Sequence, residues 1–176
     1  MKAKTFILIC LLVPCLMCEA ACVNGKTKEP RFPIVDSIVY VTLGRTVTDI
    51  LLSPSKVNCY LLKGKSEVAK EDVEVEPHYV RDSLLANLSN KEIGILQFVL
   101  VFDKDCYKDD SVKVKSPYMP RYEFEFVKKN AVVHVIISLQ DYTWTVMYDG
   151  KEFAHFNFAN KEVVEKFCKM YFNPNE

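Results

Sequence analysis

A chain of 176 residues has room for one domain of ordinary size, which excludes a multidomain enzyme. Its 49% hydrophobic, 12% aromatic and 26% charged content excludes a disordered chain and predicts a packed core. With 23 basic and 23 acidic residues, no net field recruits a polyanion, so no nucleic-acid partner is expected.

Lys2 and Lys4 precede an apolar run from Thr5 to Met17, which is followed by Cys18-Glu-Ala-Ala-Cys22. A charged start, a short apolar middle and small residues at the end have the layout of a signal peptide over residues 1–20. The run falls short of the roughly 20 residues that cross a bilayer, and Pro14 interrupts it. Cys18 and Ala20 fit small-x-small cleavage for soluble secretion. Ala20-Ala21-Cys22 fits the end of a lipobox, with Cys22 as the lipid attachment candidate, although Glu19 stands where such a motif carries Leu. Both fates imply an exported chain, in the periplasm, at the outer membrane or outside the cell. Membrane contact is expected only through the lipid. Residues 21–33, with two prolines and Gly25, read as a flexible arm or tether, and residues 34–176 as a single α+β domain. In an oxidising compartment Cys22, Cys59, Cys106 and Cys168 allow up to two disulfides of undetermined connectivity. Cys59, Cys106 and Cys168 are the candidates if Cys22 carries lipid. The alternative is buried free thiols.

Ile34–Leu43 is rich in β-branched residues and stops at Gly44, which predicts a first strand. Thr46–Leu52 reads as a helical turn terminated by Pro54, and Val57–Leu62 as a second strand with Val57, Cys59 and Leu61 on one face. Gly64–Glu76 is charged and aperiodic, a solvated loop, and helical spacing is expected from Asp82. Ser89-Asn-Lys-Glu92 has the form of a capping box opening a helix over Ser89–Val101.

Tyr122-Glu-Phe-Glu-Phe126 alternates strictly and opens a four-strand meander, with turns at Lys129-Asn130, Gln140-Asp141 and Asp149-Gly150. Two-residue turns place Glu125 opposite His134, Phe124 opposite Val135, Phe126 opposite Val133, Trp144 opposite His155 and Val146 opposite Phe153. Asn160 then caps a helix whose Val163, Val164, Phe167, Cys168 and Tyr171 form one stripe. The fold class is α+β: an antiparallel sheet with a C-terminal four-strand meander, covered by one or two helices.

Templates for chemistry are missing from the chain. No His-Glu-x-x-His, no phosphate-binding Gly-rich loop and no Gly-x-Ser-x-Gly occurs, so no catalytic, metal or cofactor residue is expected and the chain is read as a non-enzyme. His78 is read as a loop residue. Asp-Ser-aliphatic occurs at Ser37, Ser83 and Ser111, resembling the O-glycan acceptor of exported Bacteroides-type proteins. Asn87-Leu-Ser89 is an N-glycosylation sequon. Ser116-Pro-Tyr-Met-Pro-Arg121 is stiffened by two prolines and presents Tyr118, Met119 and Arg121, residue types suited to partner binding.

This segment, with Val133–Leu139, the Trp144–Lys151 hairpin and the terminal helix, resembles small exported proteins of Bacteroides-like gut bacteria. The likeness is closest over residues 116–170 and implies a compartment but no activity. The expected function is binding of a protein or other envelope component, in an inhibitor-like or immunity-type role. The alternatives are a structural envelope lipoprotein and a small hydrolase.

Overall fold

In the computed structural model, which describes residues 33–64, 79–108 and 119–172, the chain enters helix α1 (Ser37–Leu52), capped by the Asp36 carboxylate accepting from the Ile38 amide at 3.1 Å. The strand expected over Ile34–Leu43 is therefore corrected. Val39, Leu43, Val47, Ile50 and Leu51 are all buried, and that spacing is a helical stripe running straight through Gly44. Packing of this stripe overrides the β preference of the individual residues. Gly44 does break the helix locally, with φ 75° and ψ 158°, a conformation that is essentially glycine-only.

Strand β1 (Lys56–Gly64) follows, then β2 (Tyr79–Asn87). The helical spacing expected from Asp82 is corrected: residues 82–87 belong to an edge strand paired antiparallel to β1. Register shifts between Cys59 and Tyr60 and between Leu61 and Leu62 break the two-residue period that would have marked it. Helix α2 (Asn90–Gln97) has the capping box read from sequence: the Glu92 amide donates to Ser89 Oγ and the Ser89 amide to Glu92 Oε2. It runs on as a π turn at Phe98–Phe102 and a 3-10 turn at Lys104–Tyr107. The Gln97 amide donates to the carbonyls of Leu51 and Leu52, satisfying the end of α1, where backbone acceptors run out of partners.

The meander is present as β3 (Tyr122–Lys128), β4 (Ala131–Ser138), β5 (Thr143–Tyr148) and β6 (Lys151–Asn157), and α3 (Lys161–Phe172) closes the chain. Among the described residues there are six strands, all antiparallel, in the order β2-β1-β3-β4-β5-β6. The architecture is α+β. The pairs Glu125–His134, Phe124–Val135 and Phe126–Val133 hold as expected.

The β5–β6 register does not. Trp144 faces Phe156, and His155 faces Thr145. One extra residue in β6 shifts everything past Glu152, and the Thr145 hydroxyl donates to the Phe153 carbonyl at 3.1 Å within the bulge. The shift turns Phe156 inward, where its ring centroid lies 4.7 Å from that of Trp144. The unbulged register would have put an imidazole there.

The core fills the inner face. Tyr122, Phe124, Phe126, Val133, Val135, Ile137, Trp144 and Val146 are buried on it, and the ring of Phe167 on α3 lies 6.2 Å from that of Phe124. Cys59, Cys106 and Cys168 are free, buried thiols, so the staple expected among them is corrected. A core of this size stands on burial alone, and the three sulfurs serve as small core groups. Cys106 Sγ donates to the Val99 carbonyl and accepts from the Ala159 amide. Burial pushes the Cys106 thiol up to about 11 and the Cys168 thiol up to about 12.

Candidate functional site on the outer face of the sheet

Because Tyr122, Phe124 and Phe126 point inward, alternation sends Glu123 and Glu125 to the opposite face. There the neighbouring strands bring Asn58 and Tyr60 from β1, Arg81 from β2 and His134 from β4. Arg81 reaches Glu123 with a fork, Nε to Oε2 at 2.9 Å and Nη2 to Oε1 at 2.6 Å, and also touches Glu125 Oε1 at 2.8 Å. Its guanidinium lies 4.0 Å from the Tyr60 ring centroid, a cation–π contact that fixes the fork in place. The other Glu125 oxygen accepts from Asn58 Nδ2 at 2.7 Å and from the Tyr60 hydroxyl at 3.3 Å.

His134 Nδ1 stands 2.6 Å from Glu123 Oε1 and 3.2 Å from Arg81 Nη2. A lone pair on Nδ1 would repel the carboxylate at that distance. We therefore assign the proton to Nδ1, donated to Glu123, which leaves Nε2 as the nitrogen outside the network.

Glu123 is 7% exposed. Burial raises its carboxyl, but the hydrogen bonds from His134 and Arg81 and the Arg81 charge outweigh that and hold it at about 2. The Glu125 carboxyl is lowered in the same way: burial opposes, and Asn58, Arg81 and Tyr60 prevail. Both groups are carboxylates near neutral pH, so two anions share one permanent cation.

Of the partner-binding candidates, Met119 is 46% exposed and Arg121 is exposed, whereas Pro120 between them is buried. Arg121 is held on both sides: its amide donates to the Ile137 carbonyl and its carbonyl accepts from the Leu62 amide. It continues β3 outward, and alternation places its side chain on the face that carries Glu123 and Glu125. The Glu125–His134 register pair expected from the sequence is present, whereas Arg81, the residue that ties the network together, was not expected.

Ser37 and Ser83 are exposed, at the first turn of α1 and on β2. Asn87 is exposed at the end of β2, beside the Ser89 hydroxyl of the capping box. Cys22, His78, Ser111, Tyr118, the signal and arm segments and most of the loop at 64–76 lie outside the described residues.

Among the described residues no group of three or more His, Cys, Asp or Glu is placed to hold a metal ion, and no helix is long and apolar enough to cross a membrane. Comparison with family models, curated proteins and solved structures finds no match to this chain.

Proposed function

We propose that the chain is an exported, non-enzymatic envelope protein that binds a macromolecular partner with the outer face of its sheet, from Met119 and Arg121 across to Arg81 and His134. The observation that carries this reading is the network itself. A half-buried Arg81–Glu123–His134–Glu125 cluster is a poor source of stability, because desolvating the charges costs about as much as their attraction returns. As a surface it has fixed geometry, with Arg81 held by three hydrogen bonds and a ring, so little side-chain entropy is lost on binding. Beside it, the anchored Arg121 backbone follows the buried Pro120 and the exposed Met119, a side chain enriched at interfaces.

The experiment is affinity capture from the envelope fraction, with thermal melting of the same samples. Tyr118→Ser/Met119→Ser should melt as the parent does and lose the captured partner. A lowered melting temperature would assign these side chains to capping the core, and an unchanged capture profile at unchanged stability would remove the segment from the interface.

A further inference from the structure

Among the described residues the outer-face network leaves two acceptors without a donor. Asn58 is 5% exposed, and its amide nitrogen is taken up by Glu125 Oε2 at 2.7 Å. Its Oδ1, on the same amide, is buried with no hydrogen-bond partner, a costly state for a carbonyl oxygen. With the Nδ1 proton of His134 donated to Glu123, Nε2 is the second open acceptor, on a side chain that is 33% exposed. Asn58, Glu125 and His134 belong to one cross-strand row, with Glu125 in the middle. Charge is short in the same sense. Glu123 and Glu125 share Arg81; outward from them, Arg121 adds a cation at one end of the face, and Glu152, across Met147 from His134, adds a carboxylate at the other. Lys63 and Asp82 cancel as a pair. With the imidazoles neutral, three carboxylates stand against two guanidiniums.

We propose that the protein partner of this face contributes a lysine ammonium group, which seats at Glu125 and donates to Asn58 Oδ1, Glu125 and His134 Nε2. The inference rests on the binding role proposed for the outer face. A lysine head supplies what the row lacks, one positive charge and three donors on a compact centre. A guanidinium is a flat fork matched to a carboxylate with both oxygens open, and both Glu125 oxygens are already engaged, one by Arg81 and the other by Asn58 and Tyr60. A carboxylate or phosphate would add an anion to a face that already has one too many, and a second copy of the chain would bring the same surplus of carboxylate.

The test is an NMR titration of the whole chain, labelled with 15N, in which the Asn58 side-chain amide and the His134 imidazole are followed as N-acetyl-lysine methylamide is added. The norleucine, arginine and glutamate analogues serve as comparisons; norleucine has the same carbon chain without the ammonium. The expected result is that the lysine compound shifts both signals and binds roughly tenfold or more tighter than norleucine or glutamate, and that Glu125→Gln, which keeps the side chain's shape, weakens it about tenfold. Thermal melting checks that the variant is folded, and the norleucine comparison needs no variant at all. Unmoved Asn58 and His134 signals, equal affinity for norleucine, arginine binding as tightly as lysine, or undiminished binding by Glu125→Gln would each overturn the proposal. Capture from the envelope fraction decides the binding role separately: a partner still held by Glu125→Gln overturns the lysine assignment and leaves that role standing, whereas a chain that captures nothing yet binds the lysine compound overturns the role alone.

Discussion

Strand β3 shows two different solutions on its two sides. Inward, Tyr122, Phe124 and Phe126 are fully buried against α3 and β4, and each buried aromatic ring contributes about 1.5–3 kcal/mol through area alone. Outward, one residue away in sequence, Glu123 and Glu125 are bound into an ionic network that is at best modestly stabilising. The inner face holds the fold together by non-directional packing. The outer face holds a pattern of charges in fixed positions.

Adjacent residues allow this contrast to be broken one side at a time. The largest expected effect is on the inner side: Phe124→Ala, which empties a site in ring contact with Phe167 and Phe172, should cost about 3–5 kcal/mol in chemical denaturation. A loss below about 1 kcal/mol would mean that α3 does not rest on this face.

On the outer side Arg81→Ala leaves Glu123 buried without its cation and should cost about 2–3 kcal/mol. Acid titration sharpens the assignment. The folded Glu123 carboxyl, at about 2, lies below its ordinary 4.5, so its contribution is complete above about pH 4.5 and is lost as pH falls through about 2. Melting temperature should therefore drop over that window in the parent, and the drop should be shallower in Arg81→Ala. Parallel acid profiles would place the network's energy elsewhere.

The smallest effect belongs to neither face: Ser89→Ala removes half of the capping box and should cost about 1 kcal/mol, with both the ring packing and the acid profile unchanged.

The elements readable from the sequence are those whose signals are local. The capping box at Ser89, the alternation of Tyr122–Phe126 and the Asp149-Gly150 turn each act within a few residues, and the structure has them all. Elements decided by distant packing read wrongly. The Val39-to-Leu51 stripe is helical only when Gly44 is taken as a kink inside a helix and not as its end. β2 loses its alternation to two register shifts against β1. The bulge in β6 sets Phe156 against Trp144, a contact across strands that no short-range signal in β6 marks. The site divides likewise: Glu125 and His134 meet through a hairpin and could be paired from sequence, whereas Arg81 arrives from a strand that looked helical.

Strand order also constrains the sequence of events in folding. β3 to β6 and α3 close through short turns, but β1 pairs with β3 across a gap in which Asn58 and Glu125 are 67 residues apart. Closing so long a loop is entropically costly and slow compared with zipping a hairpin. The β1–β2 hairpin, although first to be synthesised, must wait for the last third of the chain before Val57 and Cys59 are covered. This topology predicts that the C-terminal meander closes first and that β1 and β2 dock onto it later, which φ-value analysis would read as higher values in β3–β6 than in β1 and β2.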